Sequence, residues 1–341
     1  MRLTQDDPGA DWTAPGVYEV GTGLYRIPLP LPNDGLKAVN VYAFRDGDGL
    51  VMVDSGWALA AAREGLEQAV KVLGHDLADI RRFLVTHVHR DHYTLGVAVR
   101  REYGTRITLG RGEAGTVRME RENTPDTGLV SQLRRGGAPE LVRMLEALGG
   151  AGDRSDWEDP DDWMDAPGDI RLETATWRAY PTPGHTRGHL VFVDAERDIM
   201  FAGDHVLPRI TPSIGFERNT AESPLRDYLD SLRLVRDLPD RRLLPAHGPV
   251  SPSVHARVDE LIEHHDTRLA RTQEAVGPHP STAAETARRM SWTRRGRRFD
   301  ELDIFSQCLA VTETLAHLDV LAASGRLIRT EEHASAIFAQ S

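Results

Sequence analysis

Five short apolar runs in this chain end on a histidine or an aspartate. LVMVD closes on Asp54, FLVTH on His87, WRAYPTPGH on His185, IMFAGD on Asp204 and RLLPAH on His247. Strand ends joined by short loops are where a rigid scaffold aims polar side chains at one point. The second run is the densest. LVTHVHRDHY, residues 84–93, adds His89, Asp91 and His92 to His87. A fold for this chain must bring several strand ends together.

The text around these runs predicts two sheets. In AVNVYAF, period-2 counting puts Val39, Val41 and Ala43 on one face and Asn40, Tyr42 and Phe44 on the other. DGDG at 46–49 is a tight hairpin signal leading into LVMVD. Residues 58–73 are predicted helical from Leu59, Leu66, Val70 and Leu73, with Gly74 as the stop. SPLRDYLDSLRLVRD at 223–237 is a second predicted helix. Residues 1–16, polar and broken by Pro and Gly, read as loose. From 251 the pattern is helical, and β-like text returns only at RLIRT. The expected class is therefore α+β: a sandwich over 17–250, then a mostly helical unit over 251–341. Residues 111–169 are an insertion with eight acidic residues between 153 and 169. They are expected to be either a solvated loop or a lid in which Trp157 and Trp163 wall a cleft.

Bulk composition removes some classes. With a net charge of -11, the 341-residue chain has no overall pull toward nucleic acid or an anionic membrane. Its one cysteine, Cys308, permits no intrachain disulfide and is expected to pack inside a helix. No run approaches the length of a membrane span, and MRLTQDDPGADW does not read as a signal peptide. The expected location is the cytoplasm.

Seven side chains are the candidate metal ligands: His87, His89, Asp91, His92, His185, Asp204 and His247. Imidazole and carboxylate suit Zn²⁺, with Fe²⁺ or Mn²⁺ as alternatives. Seven ligands are too many for one tetrahedral site, so two divalent ions sharing one carboxylate are expected. His189 reads as a loop-fixing residue. His205 is ambiguous. The remaining histidines read as structural or surface groups.

VDSG (53–56), THVHRDH (86–92), TPGHTRGH (182–189), FAGD (201–204) and PAHG (245–248) together resemble the five motifs of the metallo-β-lactamase-fold hydrolase superfamily. The likeness covers about 17–250 and leans toward the glyoxalase II and β-lactamase-like protein 2 branch. It implies an αββα sandwich. His87, His89 and His185 would hold one ion, Asp91, His92 and His247 the other, and Asp204 would bridge. Asp54 would support the histidine loop from behind. The tail from 281 to 330 is similar to the winged-helix-like domain that ends that branch.

Two ions acidify a shared water, and the expected reaction is attack of the resulting hydroxide on an electrophile, with Asp91 as the catalytic proton-handling group. The leading electrophile is a thioester or related carboxylic ester, such as an acyl group on coenzyme A or a carrier protein. Trp57, Tyr93 and Phe216 are candidates to line its pocket. Phosphodiester cleavage in RNA is the alternative. ARRMSWTRRGRRF supports it by setting Arg288, Arg289, Arg294, Arg295, Arg297 and Arg298 among Trp292 and Phe299. The same arginines could instead answer the acidic 153–169 stretch or bind coenzyme A phosphates. Lactones are a further possibility. A flavin-coupled redox role lacks an appended flavin unit.

Overall fold

The computed structural model describes residues 1–32, 35–122, 127–148, 156–293 and 296–341. Sheet one holds eight strands in chain order: β1 (Leu3–Gln5), β2 (Val17–Gly21), β3 (Leu24–Pro30), β4 (Ala38–Asp46), β5 (Gly49–Val53), β6 (Ile80–Leu84), β7 (Arg106–Gly110) and β8 (Asp162–Met164). β2 to β5 form an antiparallel meander, and β5 to β8 run parallel. The parallel links need crossovers, which α1 (Ala60–Val72) and α2 (Arg90–Tyr103) supply. After β7 come α3 (Ala114–Arg121), α4 (Thr127–Arg135) and α5 (Pro139–Leu148). Sheet two is β9 (Gly168–Arg171), β10 (Thr176–Pro181), β11 (Leu190–Asp194), β12 (Ile199–Gly203) and β13 (Arg242–Pro245), again with chain neighbours paired.

The faces of β4 divide as period 2 demands. Val39, Val41 and Ala43 pack under α1 and α2 with Leu66, Val70 and Val97. Tyr42 and Phe44 point into the layer between the sheets, against Trp177, Phe192 and Phe201. Beyond sheet two lie α6 (Pro224–Asp237) and α7 (Val254–Val276). The order helix, sheet, sheet, helix is an αββα sandwich. A mostly helical C-terminal region follows. It holds α8 (Ala283–Arg289), the hairpin β14 (Ser291–Trp292) and β15 (Arg297–Arg298), α9 (Ile304–Ala323), and the hairpin β16 (Leu327–Glu332) and β17 (Ser335–Gln340). Its core is continuous with that of α6 and α7: Leu232, Val258, Leu315 and Phe338 belong to one apolar cluster. Cys308 is fully buried there.

Three local expectations need correction. Residues 1–16 are not loose, since Leu3–Gln5 pairs in parallel with β2 and the Asp6 carboxylate bonds the buried Arg26. The stretch 156–165 is not a solvated loop. Trp157 is buried, stacked on Tyr93 at 6.0 Å, and residues 162–164 form the edge strand β8. Its carboxylates answer arginines of α2, of β7 and of the turn just after β7. Arg101 meets Glu158 at 2.7 Å, Arg106 meets Asp162 at 2.8 Å, and Arg111 meets Asp165 at 2.6 Å. Third, part of the expected basic patch is occupied by structural contacts, while Arg297 and Arg298 stay exposed. Arg288 pairs with Glu140 at 2.5 Å, Arg289 bonds the carbonyls of Ala275 and Val276, and Trp292 is buried beneath Arg268. Arg294 and Arg295 lie outside the described residues.

Candidate metal centre

The seven candidate side chains converge at one end of the sandwich. β6 ends at Leu84, and residues 85–89 turn into α2, which puts His87, His89, Asp91 and His92 at a strand-to-helix corner. His185 arrives on the loop from β10 to β11, Asp204 just past β12, and His247 just past β13. Two groups result. In one, His87, His89, His185 and Asp204 each offer an atom within 4.8 Å of the others; in the second, Asp91, His92 and His247 do the same.

Asp204, a member of the first group, also reaches the second. Its Oδ2 lies 3.4 Å from His185 Nε2, and its Oδ1 lies 3.4 Å from His247 Nε2 and 3.8 Å from His92 Nε2. Asp91 Oδ2 lies 3.3 Å from His247 Nε2 and 3.5 Å from His92 Nε2. Outward contacts aim the imidazoles. His185 Nδ1 bonds the Ser213 carbonyl, His247 Nδ1 the Ala38 carbonyl, and His92 Nδ1 the Asp54 carboxylate, each at 2.8 Å. Such outer bonds fix the tautomer and leave Nε2 lone pairs facing inward. Asp54 also accepts from the Thr86 N–H at 2.8 Å, so it ties the histidine loop to the end of β5, as the resemblance implies.

The residues fit a cation. Among the described residues, His92 Nε2, His247 Nε2 and Asp204 Oδ1 are buried with no hydrogen-bond partner. Unpartnered buried polar atoms are costly, and here they face one another. A divalent ion bound by imidazole and carboxylate would satisfy them. The protonation pattern agrees in the first group, whereas in the second burial is outweighed by Asp91, Asp54 and Asp204 at His92 and by Asp204 and Asp91 at His247, which hold both imidazoles above the ordinary histidine value. Burial pushes His89 down to about 3, and burial together with neighbouring imidazoles pushes His87 well below the ordinary histidine value. Burial works against the Asp91 and Asp204 carboxylates, but surrounding histidines outweigh it and hold both below the usual aspartate range.

Two supporting features differ in how legible they were. His189 donates from Nδ1 to Thr182 Oγ1 at 2.8 Å and accepts the Asp204 N–H at its Nε2 at 3.2 Å, so it fixes two loops, as expected. The backbone at Gly203 has φ 50°, and a Cβ there would lie 2.7 Å from His189 Nε2, which explains the glycine of FAGD. Glu113 and Glu217 carried no motif and were missed. Glu113, fully buried, accepts from Thr186 Oγ1 at 2.5 Å; Glu217 accepts from Arg187 N at 2.9 Å and Thr116 Oγ1 at 2.7 Å. They grip the two residues that follow His185. Burial, with Glu217 beside it, holds the Glu113 carboxyl well above the usual range, and burial raises Glu217 to about 7. Of the expected pocket aromatics, Tyr93 is core: it is fully buried, and its hydroxyl donates to the Glu158 carbonyl at 2.6 Å. Trp57 is half-buried under the exposed Arg90, and half-buried Phe216 meets Phe305 of α9 at 5.1 Å.

An αββα sandwich with two such clusters at its strand ends defines a metal-dependent hydrolase. The chain belongs to the metallo-beta-lactamase superfamily, whose family model matches residues 34–247. It is similar to the beta-lactamase-like protein 2 homolog of Caenorhabditis elegans, 35% identical over 108 residues, or 32% of this chain and 33% of that protein. That match thus spans about a third of the relative's length. The likeness to the probable metallo-hydrolase YqjP of Bacillus subtilis is broader, 25% identical over 87% of this chain and 91% of that protein. The atrochrysone carboxyl ACP thioesterase of Aspergillus fumigatus is 33% identical over 39% of this chain and 40% of that protein. Among solved structures, a beta-lactamase domain protein from Burkholderia ambifaria superposes with a TM-score of 0.77 at 27% identity, covering 98% of this chain and 97% of that one. No helix among the described residues is long and apolar enough to cross a membrane.

Proposed function

We propose that the protein is a two-metal hydrolase of thioesters or related carboxylic esters, with Zn²⁺ as its ion and Fe²⁺ or Mn²⁺ as alternatives. His87, His89 and His185 would hold one ion and Asp91, His92 and His247 the other, with Asp204 as the carboxylate available to both. The observation that carries this reading is the placement of the two Asp204 oxygens, one toward each histidine group. When bound, two divalent ions lower the pKa of water and polarise a carbonyl oxygen. The chain's own groups orient the reaction. Asp91, kept ionised by His92 and His247, presents Oδ2 as a proton acceptor. Asp54, Ser213 and Ala38 hold three imidazoles in the tautomer that leaves Nε2 free.

The acyl reading draws support from the likeness to a carrier-protein thioesterase. The RNA reading loses support because Arg288, Arg289 and Trp292 serve structural contacts. We assign the catalytic unit to 17–250 and a winged-helix-like unit to 251–341, in the branch of glyoxalase II and β-lactamase-like protein 2, acting in the cytoplasm. Any lid belongs to the remainder of 111–169 rather than to the edge strand β8. A parallel assay decides the substrate: metal-loaded protein against acyl-CoA, acyl-lactone and single-stranded RNA panels. Acyl-CoA turnover lost in His87→Ala is expected. RNA turnover alone, lost in the same variant, would overturn the acyl reading.

A further inference from the structure

The turn that carries His247 is held from behind by one strand. Asn40 of β4 is fully buried. Its backbone N–H donates to the Ala246 carbonyl at 2.7 Å. Its side-chain amide donates to the Pro245 carbonyl at 3.1 Å and the Gly248 carbonyl at 2.8 Å. Tyr42 adds a hydroxyl bond to Pro245 at 2.8 Å, and Ala38 accepts from His247 Nδ1 at 2.8 Å. Alternate residues of a strand face the same way. Residues 38, 40 and 42 thereby contact every residue from 245 to 248.

The amide is itself oriented. Asn40 Oδ1 accepts from Arg26 Nη1 at 3.0 Å, which leaves only the NH₂ end to face the turn. Arg26 is 2% exposed. A buried guanidinium requires partners. Asp6 Oδ1 accepts from Nε at 2.9 Å and from Nη2 at 2.6 Å, and the Trp12 carbonyl accepts from Nη1 at 2.9 Å. The Tyr18 ring lies 4.5 Å from the guanidinium carbon. These three partners precede residue 34, where the family match begins.

We propose that Asn40 is a positioning residue for His247, and that the N-terminal segment, through Asp6 and Arg26, holds the Asn40 amide in the orientation this requires. The inference rests on the two-metal reading. Neither an apolar side chain nor a carboxylate replaces the amide, because only a double donor satisfies two carbonyls while an oxygen faces Arg26.

The test is a Co²⁺ titration of metal-free protein followed by visible absorption, for wild type, Asn40→Asp and Asp6→Asn. Wild type is expected to take up two equivalents. In Asn40→Asp, one equivalent should weaken about 10–100-fold while the other stays within about twofold, the size typical of lost outer partners. Asp6→Asn should move the same equivalent in the same direction by less, with a thermal midpoint near that of wild type. Should Asn40→Asp fail to fold, Asp6→Asn decides alone. Two unchanged affinities in a folded variant would overturn the inference and leave the metal reading standing. A wild type that never takes up the second equivalent would remove both, and it would show before any variant is made.

Discussion

The loop that carries His185 and the turn that carries His247 do the same job with opposite chemistry. Behind His185 stand two buried carboxyl groups, Glu113 and Glu217, both held up by burial. Behind His247 stands the neutral amide of Asn40, backed by a buried arginine paired with Asp6. Backbone packing differs as well. A Cβ on Gly188 would lie 2.3 Å from Glu113 N, so the His185 loop and the turn before α3 meet backbone to backbone. The first support is ionisable and tight. The second is uncharged at the point of contact and reads its target through carbonyls. Loops of similar geometric demand therefore need not respond alike to pH or substitution.

The largest effect should come from the point both halves share. Asp204→Ala and His87→Ala should each lower acyl hydrolysis more than about 100-fold, beyond the range seen when only outer partners are lost; steady-state kinetics on the best acyl substrate checks this. Asp54→Asn comes next. It keeps the side-chain shape but weakens the acceptor of His92 Nδ1 and Thr86 N, and should cost about 10–100-fold in metal affinity or activity. Equilibrium dialysis against a metal buffer would show it.

A third prediction separates the two supports by pH. Glu217 is held up to about 7 by burial, against about 4.3 for a free glutamate. Across that interval the folded state keeps a proton the unfolded chain has lost. Stability is thus fully present below the unfolded value and falls as pH rises through the folded one. Glu217→Gln should flatten this slope, read as a smaller difference in urea midpoint between about pH 5 and about pH 8. No such flattening should follow from Asn40→Asp or Asp6→Asn. The smallest effect belongs to the outer ion pairs. Arg106→Ala removes an exposed partner of Asp162 and should leave the urea midpoint close to that of wild type, with kcat unchanged.

The site was legible because its chemistry is concentrated at strand ends. Apolar runs followed at once by His or Asp marked Asp54, His87, His185, Asp204 and His247, the dense cluster after His87 marked His89, Asp91 and His92, and the five motifs ordered them. The sandwich was legible from β4, whose alternation separates the helix-facing core from the inter-sheet core. What stayed hidden lies in pairings between distant segments. Asp6, Arg26 and Asn40 form one network across 34 residues of chain, and no local pattern marks an aspartate in a polar segment as the partner of a buried arginine. Glu113 and Glu217 are separated by 104 residues and converge on Thr186 and Arg187. The acidic run at 153–169 read as a solvated loop or a lid because its composition is that of a loop, yet residues 162–164 pair with β7 as an edge strand.

The central claim is that Asp204 joins two ion sites. Elemental analysis of purified wild type and Asp204→Ala, each exchanged into the same Zn²⁺ buffer, tests it most directly. Two equivalents per chain in wild type, with loss from both sites in Asp204→Ala, is the predicted result. Full metal content in the Asp204→Ala protein would contradict it.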